Sequence, residues 1–316
     1  MNNALIGYTG FVGSNLKKQM GFTDYYNSQN IKDIENKSYD IIVCAGVKAE
    51  KWFATKYPEK DMESINILLN HLQKVKARKF ILISTIDVYD KPVDVDENTI
   101  INVQGLQPYG LHRYYVENWV KSNFDDYLIL RLPALFGKGL KKNFIFDLLT
   151  INPSVIMEEK MKELQNLLKD TDYKFIESSY NNNNNGTYSI NNDLKKDHKM
   201  KLKEIFFSVN FTSLTFTDER SKFSFYDLMN LGRHIEFSLK NNLSIVNLAV
   251  EPISAKELAK EVFNYDFDNI IDSQDPAEYD FRTIHTRVFK GEDGYIYKKN
   301  QVINQIKRFV REDFRG

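Results

Sequence analysis

The stretch Gly7-Tyr8-Thr9-Gly10-Phe11-Val12-Gly13 constrains this chain more than any other. It follows the apolar run Ala4-Leu5-Ile6, which predicts a first β-strand, and leads into Ser14 to Met20, which predicts a helix. Strand, glycine turn and helix together present backbone N–H groups and a helix N-terminus to a pyrophosphate. Gly7 lets the strand turn sharply, Gly10 lets phosphates approach the backbone, and Gly13 lets the helix pack on the strand. The residues that would cradle the ligand are Gly7, Thr9, Gly10, Phe11, Val12 and Gly13. The spacing is Gly-x-x-Gly-x-x-Gly, and its place directly after a strand makes it a dinucleotide-binding candidate.

Strands and helices then alternate. Phe22 to Tyr26 predicts a second strand, whose end meets an adenine ribose in such folds. Asn27-Ser28-Gln29-Asn30 follows, with Lys32 beyond. No acid stands there to repel a 2′-phosphate, so Asn27 and Ser28 point to NAD(P) with a slight lean to NADP. Asp40 to Gly46 is a buried parallel strand ending in small residues, and Ala45 and Gly46 leave room for a cofactor against the backbone. Its Cys44 reads as a core residue. Asp61 to Val75 has apolar residues at helical spacing.

Lys79 to Tyr89 is a strand running into the hydroxyl of Thr85, and ligands of open α/β sheets bind at such ends. Tyr109 comes 24 residues later, with Arg113 four further on and so on the same helix face. A phenol with a pKa of about 10 is a poor base at neutral pH, and the adjacent cation is expected to lower it. Thr85, Tyr109 and Arg113 are thus parts of proton transfer at a sugar or alcohol oxygen, coupled to hydride transfer.

Four segments, GYTGFVG, STIDVY, YGLHRYYVE and RLPALFGKG, resemble the extended short-chain dehydrogenase/reductases, the NAD-dependent epimerase/dehydratase family that modifies nucleotide sugars. The resemblance implies catalytic roles for Thr85 and Tyr109. It puts Arg113 where the family has a lysine that binds the nicotinamide ribose, and Leu132 beside the nicotinamide. Arginine keeps the charge but is bulkier, planar and always protonated. The family's 4,6-dehydratases carry Thr-Asp-Glu where this chain has Thr85-Ile86-Asp87, which disfavours dehydration and leaves reduction, oxidation or epimerisation. Thr85, Asp87, Asn143, Arg220 and Arg282 are the implied substrate contacts. Arg220 lies seven residues before Asp227, the family's spacing for a diphosphate-binding arginine. Residues 151–215 match nothing in the family pattern and are left to carry specificity.

The implied architecture is a doubly wound parallel sheet, Rossmann-like, with a smaller C-terminal substrate-binding lobe. Residues 1–150, with returning segments near 220–250, form the NAD(P)-binding domain, and 151–316 form mainly the lobe. Asn181 to Asn185 with Gly186 predicts a surface loop or hairpin tip. Ser254 and Glu257 have capping-box spacing. His285 reads as a surface or structural histidine.

Composition narrows the function classes. At 316 residues the chain can bury one large core with a lobe. Lys plus Arg equals Asp plus Glu, 43 each, so no net positive field draws it to nucleic acid or an anionic membrane. One cysteine excludes an internal disulfide framework and suits a reducing compartment. The first strand starts at residue 4, which argues against a signal peptide, and no apolar run approaches the ~20 residues of a membrane span. The expectation is a cytoplasmic enzyme with a nucleotide-sugar substrate and no metal, and a homodimer is compatible with the resemblance. The alternative is a cofactor-binding regulator or scaffold in which Arg113 has cost the chain its catalysis.

Overall fold

The computed structural model describes residues 2–191 and 193–314. The chain divides into two compact units, one of Met1–Gly139, Lys222–Ile253 and Glu278–Gly316, the other of Leu140–Ser221 and Ser254–Ala277. The first unit therefore ends its N-terminal part at 139 rather than 150 and takes in residues 278–316, expected in the lobe. Isolated bridges Val93↔Asp280 and Val250↔Tyr297 tie that C-terminal stretch to it.

The first unit is built on β1 (Asn3–Ile6), β2 (Asp24–Tyr26), β3 (Ser38–Cys44), β4 (Lys76–Thr85) and β5 (Tyr127–Leu132), with a last strand at Ile245–Asn247. All six pair in parallel, in the order β2-β1-β3-β4-β5 and then Ile245–Asn247. Parallel strands with both faces covered must be apolar almost throughout, which explains runs such as Phe80-Ile81-Leu82 and Leu128-Ile129-Leu130, all buried. Each such side chain contributes about 1.5–3 kcal/mol on burial. Its helices include α1 (Phe11–Leu16), α2 (Lys51–Lys56), α3 (Pro58–Leu72) and α4 (Pro108–Asn123), with Leu231–Lys240 and Lys299–Phe309 later in the chain. On one face Ile65, Leu69 and Leu72 of α3 and Val116 and Val120 of α4 join Ile42, Phe80 and Leu82 in one core. Phe80 stacks on Phe124 with centroids 4.3 Å apart.

From β1 the chain passes to β2 on one side and returns to β3 on the other. The strand order thus reverses between β1 and β3, and ligands of open α/β sheets lie outside the carboxyl ends of the strands at such a reversal. Gly7 follows β1 there, and Ala45 and Gly46 follow β3.

The second unit contains an antiparallel sheet with Thr187–Ile190 between Val155–Met157 and Tyr180–Asn182. Of the asparagine run, Asn181 and Asn182 belong to the strand Tyr180–Asn182, and Asn183 to Asn185 with Gly186 form the tip of its hairpin. Helices Glu158–Leu167, Asp170–Ser179 and Lys196–Ser208 bury Met161, Leu164, Ile176, Leu202 and Phe206 in a separate core. Ser254 caps the helix Ala255–Phe263, its hydroxyl accepting from the Glu257 N–H at 3.1 Å.

Candidate functional site

The glycine turn is closed by its own backbone. Gly7 has φ +82°, and a Cβ there would stand 2.3 Å from the Ala45 carbonyl oxygen. A Cβ on Gly13 would stand 2.1 Å from the Gly7 carbonyl oxygen. Both close approaches exclude any side chain. A Cβ on Gly10 would meet only the Gly7 carbonyl oxygen, at 3.3 Å, so the outer side of the turn is open. Two glycines forced by packing and a third facing open space fit a turn that admits a phosphate group. Gly10 is also the N-cap of α1 and carries no capping side chain.

The loop after β2 braces itself. The Asn27 N–H donates to Asn30 Oδ1 at 2.8 Å, the Gln29 N–H to Asn27 Oδ1 at 2.9 Å, and Asn30 Nδ2 to the Tyr25 carbonyl at 3.0 Å. Ser28 is exposed on this loop. The nearby acid, Asp24, accepts from Tyr39 and is held below the usual carboxylate range by that hydrogen bond against the effect of burial. After β3, Cys44 is buried, which pushes its thiol up to about 11 and leaves it inert.

The carboxyl end of β4 brings the hydroxyl chemistry together. The Thr85 hydroxyl donates to Asp87 Oδ2 at 3.1 Å and accepts from the Asp87 N–H at 3.2 Å, a turn that also ends the strand. Asp87 Oδ1 accepts from Lys51 Nζ at 2.6 Å and from the Tyr279 hydroxyl at 3.2 Å. Ile86 turns the other way, into an apolar cluster with Val88, Phe281 and Tyr295.

Helix α4 opens with Pro108 in its first turn, where a missing N–H costs nothing, and Tyr109, Arg113 and Glu117 follow at four-residue spacing, all buried. The Arg113 guanidinium carbon lies 4.1 Å from the Tyr109 ring centroid. Its nitrogens fork onto Asp61 of α3, Nη1 to Oδ2 at 2.5 Å and Nη2 to Oδ1 at 3.3 Å, and Nη2 also donates to the Lys48 carbonyl. His112 Nδ1 pairs with the same Asp61 Oδ2 at 2.7 Å. Burial alone would raise Asp61, but Arg113 and His112 outweigh it and hold it below the usual carboxylate range.

The Tyr109 phenol departs from the expected sign. Burial raises it above the ordinary tyrosine value; Arg113, Lys51 and the Thr85 hydroxyl pull it down, Asp87 pushes it up, and burial prevails. The arginine therefore acts in the expected direction without deciding the net result. One turn on, Glu117 accepts from Ser84 at 2.6 Å and from Arg131 at 2.6 and 3.0 Å, while Arg131 donates to the Tyr89 hydroxyl at 2.7 Å. That buried network locks α4 to β4 and β5, and Leu132 pairs in register with Thr85.

The other candidates are engaged by partners of their own. Arg282 is paired with Asp280 and lies over the Tyr295 ring at 4.2 Å. His285 Nε2 donates to the Ile245 carbonyl at 3.0 Å, a structural contact. In the second unit, Asn143 Oδ1 accepts from the Phe146 N–H at 3.2 Å and caps the helix Phe144–Thr150. There too Arg220 grips Asp218, Nε to Oδ1 at 2.9 Å and Nη2 to Oδ2 at 2.7 Å. Sequence reasoning missed Asp61, Lys51 and Tyr279. Asp61 carried one signal, an acid within an otherwise apolar helical stripe; the other two carried none.

Residues 22–151 match the model of the NAD dependent epimerase/dehydratase family. Over that stretch the chain is similar to this family. A dTDP-4-dehydrorhamnose reductase from Clostridium acetobutylicum is similar in structure, with TM-score 0.61, 14% identity, and 98% of this chain and 99% of that chain covered. A Bacillus anthracis dTDP-4-dehydrorhamnose reductase in complex with NADP gives TM-score 0.59 at 16% identity, covering 99% of each chain. A UDP-glucuronic acid 4-epimerase mutant from Bacillus cereus, bound to NAD and a fluorinated UDP-sugar, gives TM-score 0.59 at 13% identity, covering 97% of each chain. A comparison with curated protein sequences finds no match. These structural likenesses bear out the fold expected of the family, a parallel sheet flanked by helices. Among the described residues no helix is long and apolar enough to cross a membrane.

Proposed function

We propose that this protein is an NAD(P)-dependent oxidoreductase acting on a nucleotide-activated sugar, as a reductase, dehydrogenase or epimerase. The observation that carries this reading is the convergence of Thr85 and Tyr109 at the carboxyl end of β4, with Arg113 stacked on the phenol ring. Gly7, Thr9, Gly10, Phe11, Val12 and Gly13 would hold the pyrophosphate, Asn27 and Ser28 the adenine ribose, and Ala45, Gly46 and Leu132 the rest of the cofactor. When bound, NAD(P) supplies or accepts the hydride. The Thr85 hydroxyl holds a substrate oxygen, and Tyr109 moves the proton at that oxygen. Similar structures bound to NADP and to NAD support a dinucleotide without choosing between them.

Ile86, where the dehydratases have an acid, is buried in an apolar cluster, and the carboxylate hydrogen-bonded to Thr85 is that of Asp87. Dehydration needs two, which favours simple redox chemistry or epimerisation. We assign substrate recognition to Asn143 and Arg220 of the second unit, with Arg282, and a role in polysaccharide or glycoconjugate synthesis, both on the family resemblance. The single buried thiol suits a reducing compartment such as the cytoplasm.

The test is Tyr109→Phe with a panel of UDP- and dTDP-linked sugars and both cofactors. Turnover is expected to fall by about 10²–10⁴-fold, the usual worth of a general acid–base group. Calorimetric cofactor binding is expected to stay near that of the wild type, because the ring still packs against Arg113. Wild-type turnover in Tyr109→Phe sinks the assignment.

A further inference from the structure

The family's lysine is absent from α4, yet a lysine stands against Tyr109. Lys51, the first residue of α2, reaches Asp87 Oδ1 at 2.6 Å and the Tyr279 hydroxyl at 3.1 Å. Its Nζ is 5.9 Å from the Tyr109 ring centroid and 5.4 Å from that of Tyr279. Burial works against its charge, but the Asp87 carboxylate and Tyr279 outweigh it and keep Lys51 protonated above its ordinary value. The two cations near Tyr109 are differently placed. The Arg113 side chain is 5% exposed and committed to Asp61, whereas that of Lys51 is 54% exposed and committed to Asp87.

Asp87 explains what Lys51 contributes. One carboxylate oxygen accepts the Thr85 hydroxyl; the other accepts Lys51 and Tyr279. A bare carboxylate there would oppose a phenolate on Tyr109 and leave Asp87 free to turn away from Thr85. The groups facing Tyr109 are Arg113 from its own helix, Thr85 and Asp87 from the end of β4, and Lys51 from α2.

We propose that Lys51 is a positioning residue of this site, holding Asp87 so that it orients the Thr85 hydroxyl and setting a second positive charge against Tyr109. The proposal rests on the oxidoreductase reading for its catalytic consequence, but not for its electrostatic one.

The experiment follows Tyr109 in two ways. In the oxidative direction, the pH profile of kcat/KM is measured for wild type, Lys51→Met, Lys51→Arg and Lys51→Met/Asp87→Asn. Lys51→Met is expected to move the Tyr109 limb upward by about 1 pH unit, the low end for loss of a nearby opposite charge at a partly solvated position. Lys51→Arg is expected to keep the wild-type limb, and the double variant to return most of the shift. In cofactor-free protein labelled with carbon-13 tyrosine, the Tyr109 resonance, assigned by its loss in Tyr109→Phe, is expected to titrate later in Lys51→Met by a similar margin. A Lys51→Met limb or resonance that superimposes on wild type overturns the proposal. If wild type turns over no nucleotide sugar while the resonance still shifts, the oxidoreductase reading fails and the placement of Lys51 stands.

Discussion

Arg113 forks onto Asp61 from one helix to the next, with both side chains almost wholly buried, 5% and 2% exposed. The pair bridges α4 and α3 and fixes the guanidinium over the Tyr109 ring. An arginine at this position is thus held by a carboxylate whose geometry matches its planar fork, a partner a lysine would meet with one contact instead of two.

Truncation is expected to be costly for that reason. Arg113→Ala leaves Asp61 buried with only His112 beside it, and should destabilise the fold by about 3–5 kcal/mol. Arg113→Lys keeps a charge but loses the second contact to Asp61, and should cost about 1.5–3 kcal/mol. Urea unfolding near neutral pH measures both. A loss below about 1 kcal/mol in Arg113→Ala would show that the pair is solvated. The same variants bear on catalysis. Restored turnover in Arg113→Lys beside an inert wild type favours the regulator reading; a sharp fall in Arg113→Ala from an active wild type favours the enzyme.

Much of the fold was legible because its signals are local. The run Phe80-Ile81-Leu82 marks a strand buried on both faces, and Tyr109 with Arg113 marks one helix face. The glycine turn was legible for the same reason, and Gly7 and Gly13 are glycine because backbone atoms fill the space a Cβ would take. What was not legible depends on distance along the chain. Asp61 meets Arg113 across 52 residues, Lys51 meets Asp87 across 36, and Tyr279 meets Asp87 across 192. No periodicity announces such pairs. The sign of the Tyr109 shift was hidden too, since it turns on burial, which spacing does not report. Grouping of residues 278–316 with the first unit rests on isolated bridges and on side-chain contacts such as Phe309 with Phe136 and Arg308 with Asp227, none of which leaves a strand pattern to read.

Cofactor choice is expected to favour the 2′-phosphate or be indifferent to it. Asn27, Gln29 and Asn30 are engaged in bracing their own loop, and Ser28 is exposed with no acid in the Asn27–Asn30 turn. Asp24 is tied to Tyr39, Tyr26 and Lys37 within and beside β2. NADP(H) should therefore bind at least as tightly as NAD(H) in calorimetric titration. A tenfold preference for NAD(H), about 1.4 kcal/mol, runs against this reading of the loop.

Acid sensitivity is expected to begin with His234. This histidine is 2% exposed, with Nδ1 2.7 Å from the Tyr226 hydroxyl and Nε2 3.3 Å from that of Tyr297. Burial, with a smaller push from Arg233, lowers its pKa from 6.5 to about 3. The sign follows from proton uptake. Above 6.5 neither state binds the proton; between 6.5 and 3 the unfolded chain binds it and the folded one does not, so stability falls as pH falls through that window. The whole effect is on the order of a few kcal/mol. Carboxylates with depressed values, such as Asp24 and Asp61, add their loss lower, as pH falls below their ordinary 3.8. Asp147 opposes the histidine in the same window, because burial raises its carboxyl from 3.8 to about 7 and the folded chain then gains the proton as pH falls. The share of the histidine is therefore read as the difference between wild type and variant in urea unfolding at a series of pH values from about 7 to about 4.5. His234→Asn is expected to be less stable than wild type at neutral pH and to lose the acid-destabilising share of the slope in that window, leaving the opposing share of Asp147. An unchanged slope in His234→Asn would show that another group takes up the proton.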